Sequence, residues 1–153
     1  VDNASVLFAI MKLWLRSELT FTNELALSAD RIFFLDGYKD LAWDSESSRL
    51  IDGLLGEFLM DLDARFADLI VENHVLLHED AIIKLHAIVS MCYSVGAYAL
   101  GDKLDIDRNL FLSGSAQGWA ISDSGFAQIR EILSLTKMHV SMFQLSMRAR
   151  WAS

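Results

Sequence analysis

The chain of 153 residues has no proline and a single cysteine. Average usage of about 5% would supply several prolines, so its helices must end at other residues, and clusters of Gly, Ser, Asn and Asp such as Gly101-Asp102 are available for this. The lone Cys92 excludes a disulfide within the chain, and a reducing, intracellular setting fits best. The opening residues lack the basic region and the small-residue cleavage site of a signal peptide, so we expect a cytoplasmic protein.

Positive charge is also scarce, because 13 Lys and Arg stand against 21 Asp and Glu for a net charge of −8. Residues 36–80 alone hold twelve acids and three bases. Nucleic-acid binding requires clustered Lys and Arg that neutralise phosphates, so it is not expected. The acidic block is interpreted as a solvated face, and a surface for a basic partner is the functional alternative.

Catalytic signatures are missing as well. The sequence contains no G-x-S-x-G elbow, no Walker loop and no G-x-G-x-x-G fingerprint. We therefore expect a protein that is not an enzyme and needs no cofactor.

What the chain does have is an apolar segment at residues 85–100, from Leu85 to Leu100, without one Asp, Glu, Lys or Arg. A helix that is apolar on every side is buried, and this one is shorter than the about 20 residues of a membrane span. It predicts a single-domain, all-α bundle over residues 1–153, built around this segment as its buried central helix.

Amphipathic helices are predicted around the central one. Leu50, Ile51, Leu54, Leu55 and Phe58 begin an i, i+3, i+4 rhythm typical of a helix. The predicted helices cover residues 5–19, residues 22–38 with Thr22 as N-cap, a segment capped by Ser45 that continues towards residue 70, a helix from Asp105 or Asp107 to Phe111, and residues 126–148.

Histidines and cysteine offer few ligand sets. His74 and His78 stand four apart and would point the same way on a continuous helix, but a structural zinc site needs about four ligands, so solvated positions at a helix end are the preferred interpretation and no metal site is predicted. His86 on the central helix is a candidate proximal haem ligand, although a hydrogen-bonded core histidine is the commoner case. Cys92 has no local base, and burial raises the pKa of a thiol.

Asp105, Asp107 and Asn109 match the first three ligands of an EF-hand loop. The sixth position is Leu110 instead of Gly and the twelfth is Ala116 instead of Glu. Calcium binding is therefore not predicted, and the acids are interpreted as caps of a turn.

Three patches resemble the poxvirus family of small Bcl-2-like proteins that block host innate signalling. They are the aromatic-then-Arg step Trp14-Leu15-Arg16, the pair of patches Arg31-Ile32-Phe33 and Tyr38-Lys39-Asp40, and the core segment Ile88-Val89-Ser90-Met91-Cys92. The likeness covers about residues 5–100. It implies a Bcl-2-like bundle in the host cytoplasm that binds a host signalling protein and inhibits innate or inflammatory signalling of the NF-κB type.

Apoptosis regulators of the Bcl-2 class carry Asn-Trp-Gly-Arg, and the nearest equivalent here, residues 94–98, keeps only Gly96. The resemblance therefore points to the signalling inhibitors, which use outer helix faces for dimerising and for host proteins. An apoptosis regulator and a ligand- or haem-binding helical sensor are the alternatives.

Residues 5–19 are apolar on more sides than one core can use, and their Trp14 and Arg16 are residue types favoured as interface anchors. We predict a symmetric homodimer in which this helix meets its own copy through Leu7, Met11, Trp14 and Arg16.

Replacing Trp14 with Glu should yield a folded monomer, because the charge would be buried in the interface but not in the core. Sedimentation and circular dichroism measure the two properties together. A wild-type chain that sediments as a monomer at micromolar concentration contradicts the prediction, and a variant that unfolds would assign Trp14 to the core.

Overall fold

The computed structural model describes residues 27–42, 44–69, 74–76, 79–114, 118–120 and 124–151. The elements in chain order are α1 (Ala29–Ile32), a 3-10 helix (Leu35–Tyr38), α2 (Ser45–Leu69), β1 (His74–Leu76), α3 (Glu79–Val95), α4 (Tyr98–Leu112), β2 (Gly118–Ala120) and α5 (Ser124–Trp151). The prediction of an all-α fold class is confirmed. The predicted helix at residues 5–19 lies outside the described residues.

Helix α2 is an unbroken amphipathic helix of 25 residues. Its buried side chains recur every three or four positions, as a helix with one face on a core requires: Ile51, Leu55, Phe58, Leu62, Phe66 and Leu69. The predicted rhythm is confirmed for this stripe, but Leu50 and Leu54 are 66% and 63% exposed. These two leucines lie beside the buried stripe and remain largely exposed to solvent.

The last helix, α5, has 28 residues. The three-to-four spacing of apolar residues predicts a seam along it, and of these residues all but the half-buried Leu133 are buried: Phe126, Ile129, Leu133, Val140, Phe143 and Met147. The seam passes through Thr136, whose hydroxyl donates a hydrogen bond of 2.8 Å to the Ile132 carbonyl. That bond within the helix allows a polar residue to be fully buried there.

Polar contacts fasten the end of α5 to the start of α2. Gln144 Nε2 donates to the Asp52 carbonyl at 3.1 Å, and Arg148 forms an ion pair with the Asp52 carboxylate at 3.1 Å. Trp151 Nε1 donates to Ser48 Oγ at 2.8 Å. The two longest helices of the described chain are thereby held in a fixed register.

The segment from Leu85 to Leu100 is not one helix, so the prediction of a single central helix is wrong. Helix α3 ends at Val95, Gly96 takes a φ of 93°, and α4 begins at Tyr98. A glycine in the left-handed region is the commonest way to stop a helix. The Ala97 amide donates back to the Cys92 carbonyl at 2.8 Å, which closes the end of α3.

The segment is not buried on every side either. Leu85, Ile88 and Cys92 of α3 are fully buried, whereas His86, Ser90 and Ser94 are exposed. Helix α3 is therefore amphipathic, and within this segment its outer face carries His86, Ser90 and Ser94.

The predicted helix from Thr22 to Tyr38 is also wrong in the part that the structure describes. Phe33 and Phe34 separate α1 from the 3-10 helix, and neither is helical: Phe33 has an extended backbone, and Phe34 has a φ of −81° and a ψ of 83°. Phe33 is buried with its ring centroid 5.7 Å from that of Phe143, and the Phe34 amide donates to the Gly96 carbonyl at 3.0 Å. Tertiary packing on α5 and on the α3–α4 corner overrides local helix propensity here.

Two further boundaries differ from the predictions. Asp44, not Ser45, caps α2, because its carboxylate accepts the Ser47 amide at 2.9 Å. Gly101 does not end a helix but lies inside α4, where a Cβ atom would be 2.8 Å from Tyr93 Cε1. The missing side chain allows α3 and α4 to approach closely as a hairpin.

The described residues also contain one antiparallel strand pair, which the sequence did not predict. His74 of β1 is opposite Ala120 of β2, and Leu76 is opposite Gly118. The pairing joins the segment before α3 to the segment before α5.

Gly96→Ala should destabilise the protein by about 1–3 kcal/mol, because an L-residue is strained at this φ and its Cβ would lie 3.2 Å from Phe34 Cβ. Gly53→Ala is the matched control. Gly53 is inside α2, where an added Cβ would have no described atom of another element within 4 Å, so this change should stabilise the protein by about 0.5–1 kcal/mol.

Urea unfolding followed by circular dichroism measures both variants. Equal stabilities for Gly96→Ala and the wild type would show that the α3–α4 corner does not need a left-handed residue.

Candidate protein-binding groove

A groove of about 480 Å³ opens between α2, the end of α3 and the 3-10 helix. We call it the α2–α3 groove. It is lined by Gly37, Tyr38, Leu41, Ile51, Leu54, Leu55, Glu57, Phe58, Asp61, Met91, Ser94 and Val95.

The floor of the groove belongs to the core, and its rim carries apolar side chains that are open to solvent. Ile51, Leu55 and Phe58 at the floor are buried, whereas Leu41 and Leu54 are 52% and 63% exposed. Exposed leucines beside a concave apolar surface are typical of a binding site for another apolar surface.

One side of the rim is acidic. Glu57 and Asp61 lie one helical turn apart on α2 and are both exposed. Neither carboxylate has an ion-pair partner among the described residues, unlike their neighbour Asp63, which pairs with Lys137. The groove therefore combines an apolar floor with two unpaired negative charges.

Tyr38 forms one wall and is fixed by its hydroxyl, which donates to the Val95 carbonyl at 2.6 Å. Burial raises the pKa of Tyr38 to about 12, and the nearby Tyr98 adds to the shift. The hydroxyl therefore remains a donor at neutral pH and holds the wall against the end of α3.

These features suit an amphipathic helix, which binds a groove through residues at i, i+3, i+4 and i+7. The carboxylates would favour a helix with Lys or Arg beside its apolar stripe, because charges of opposite sign at a rim select partners. The described lining residues that carry polar side chains are Tyr38, Glu57, Asp61 and Ser94.

The predicted interface residues Leu7, Met11, Trp14 and Arg16 lie outside the described residues, as does His78. The groove was not predicted from the sequence. Its one signal there was that Leu50 and Leu54 exceed what a single buried stripe of α2 needs.

The histidine predictions require correction. His74 begins β1 instead of lying on a helix, so the spacing of four to His78 does not place the two rings on one helical face. His86 is exposed on the outer face of α3 and is not a core histidine, which removes the basis of the haem-pocket interpretation. Cys92 is fully buried, and burial raises the pKa of its thiol to about 12, as expected.

Asp105, Asp107 and Asn109 lie in the interior of α4, so they form neither an EF-hand loop nor the caps of a turn. Asp105 pairs with Arg108 at 2.9 Å and Asp107 with Lys103 at 3.1 Å. Within the part of the chain that is described, no group of three or more His, Cys, Asp or Glu residues is placed to hold a metal ion.

Among the residues whose burial is described, the buried histidine is His139 on α5, which was not predicted from the sequence. It is 0% exposed, and neither ring nitrogen has a hydrogen-bond partner among the described residues. Burial lowers its pKa to about 4, so the ring is neutral at pH 7. Its position between the seam residues Thr136 and Phe143 was the available signal.

Comparisons with protein-family models, with curated proteins and with solved structures find no match to this chain. None of the described helices is both long and apolar enough to cross a membrane. The described fold is an all-α bundle, and its candidate site is the α2–α3 groove.

His139 makes the stability of the protein depend on pH. The folded-state pKa of His139, about 4, lies below the ordinary 6.5. As the pH falls, this histidine is protonated in the unfolded chain before it is protonated in the folded one. The free energy of unfolding is therefore highest above pH 6.5 and decreases as the pH falls towards 4. The loss attributable to this group is about 3 kcal/mol. His139→Leu should remove that part of the pH dependence and stabilise the protein at pH 5.

Urea unfolding between pH 4 and 7 measures the slope for the wild type and for each variant. His86→Gln, at the exposed histidine of α3, is the control that should keep the wild-type slope. An unchanged slope in His139→Leu would show that His139 is solvated in solution.

Proposed function

We propose that this protein acts by binding another protein, with an amphipathic helix of the partner seated in the α2–α3 groove. The observation that supports the proposal is the exposed apolar rim at Leu41 and Leu54 above a preformed buried floor. A preformed groove is favourable for binding because little ordering entropy is lost when the partner enters.

The partner class comes from the sequence resemblance to the poxvirus Bcl-2-like inhibitors, whereas the α2–α3 groove is proposed from this structure and differs from the outer helix faces that those inhibitors use. On that basis the partner is a host signalling protein in the cytoplasm, and binding inhibits innate or inflammatory signalling of the NF-κB type. The proposal includes the symmetric homodimer through residues 5–19. It assigns the function to binding at the groove and not to a catalytic centre.

The acidic rim would determine which class of helix the groove binds. A pro-apoptotic helix presents an acid to an Arg in apoptosis regulators, but Glu57 and Asp61 would repel an acid at the rim. The groove therefore favours a basic amphipathic helix.

Leu54→Glu should abolish partner capture and the inhibition of a pathway reporter, because it places a charge on the apolar rim. The side chain is 63% exposed, so the fold should tolerate the change. Ile83→Glu is the matched control, since Ile83 on α3 is also 63% exposed and does not line the groove.

Pull-downs from stimulated cells and a reporter of the pathway provide the two readouts. A wild-type chain that captures no signalling component and leaves the reporter unchanged refutes the signalling role. Equal loss in Leu54→Glu and Ile83→Glu would remove the groove from the binding surface.

A further inference from the structure

Among the described residues, the two carboxylates at the groove rim, Glu57 and Asp61, have no ion-pair partner. Glu57 and Asp61 are four residues apart on α2, so their Cβ atoms are about 6 Å from each other, and like charges at this spacing destabilise a helix. None of the cations in the described ranges is paired with either of them. A pair of cations with the same spacing would complement this rim.

The described chain begins at Leu27, six residues before Phe33. Leu27 packs on the core, and the Phe33 ring lies 5.4 Å from the ring of Tyr38, which lines the groove. Residues 20–26 can span about 25 Å when extended. Residues 5–19 are thus within reach of the groove of their own chain.

The sequence of residues 5–19 has the complementary pattern. Lys12 and Arg16 are four apart, so on a helix they lie one turn apart on one side, as Glu57 and Asp61 do. A stripe of Val6, Ala9 and Leu13 runs beside them with the spacing of a groove-binding helix.

The opposite side of this predicted helix is also apolar. Each residue turns an α-helix by about 100°, so Trp14 is about 200° away from Arg16 and shares a face with Leu7 and Met11. One face can therefore enter the groove, while the opposite face keeps Leu7, Met11 and Trp14 of the predicted dimer interface but not Arg16.

We propose that residues 5–19 occupy the α2–α3 groove of their own chain, with Lys12 and Arg16 at Glu57 and Asp61 and the Val6–Ala9–Leu13 stripe against Leu41 and Leu54. The intramolecular arrangement is favoured over exchange between copies, because a short tether gives an effective concentration of about millimolar. The segment is then an internal competitor that a partner helix must displace. This inference rests on the groove of the proposed function and adds the regulation of that site.

Disulfide trapping in the full-length chain tests the docking directly. Leu13→Cys or Ala9→Cys is combined with Leu54→Cys, and oxidation should produce a crosslinked monomer at least about tenfold faster than in the control pair, given the effective concentration of a docked segment. The control joins Leu13→Cys to Ile83→Cys, outside the groove. Cys92 does not compete, because it is buried and its thiol has a raised pKa of about 12.

Charge reversal tests the register of the docked helix. Lys12→Glu with Arg16→Glu should slow trapping at least about tenfold through like-charge repulsion, and adding Glu57→Lys with Asp61→Lys should restore it. Asp68→Lys, an exposed acid of α2 outside the groove, should restore nothing.

The outcomes separate the alternatives. A crosslinked dimer would overturn the proposal in favour of exchange between copies, and equal rates for groove and control pairs would overturn docking. If a crosslinked monomer forms at the same rate with and without both charge reversals, the assigned register is overturned.

The pull-down of a partner is measured separately from the disulfide trapping. A chain that traps as expected but recovers no signalling protein, oxidised or reduced, refutes the proposed function and leaves the intramolecular docking standing. Recovery only after reduction supports both.

Discussion

The corner between α3 and α4 is the constraint on which the described fold depends. Gly96 stops α3 in the left-handed region, and the two carbonyls that this frees, those of Val95 and Gly96, accept hydrogen bonds from Tyr38 Oη and the Phe34 amide. Buried carbonyls must find such partners, because an unpaired one costs about 1–3 kcal/mol. Capping by Phe34 and Tyr38 brings the segment before α2 against the hairpin, and that segment then supplies one wall of the α2–α3 groove.

The groove follows from how α2 divides its apolar residues. Ile51, Leu55 and Phe58 enter the core, while Leu54 remains on a surface that continues into Glu57. Solubility alone explains acids on a solvated face, but it does not explain acids beside an exposed apolar rim. If the groove binds a partner as proposed, this combination would be selective, because the apolar area would supply affinity and the two carboxylates would repel acidic partners.

The polar side chains in the core differ in whether they have a hydrogen-bond partner among the described residues. Thr136 bonds within its own helix, and Ser48 receives the Trp151 indole, so both are satisfied at little cost. His139 has no such partner and remains neutral because burial lowers its pKa. An apolar side chain would stabilise this position, so the histidine is a local conflict in an otherwise consistent core.

The sequence by itself determined the helical class, the stripe of α2 and the seam of α5, because a period of three to four residues reports directly which side of a helix is apolar. It also indicated the buried, inert thiol of Cys92. It did not determine whether Leu54 is buried, where the run from Leu85 to Leu100 breaks, or which histidine is in the core. Those outcomes were decided by tertiary structure, since the exposure of a side chain and the conformation of Gly96 depend on which distant element packs against them, and no local pattern contains that information.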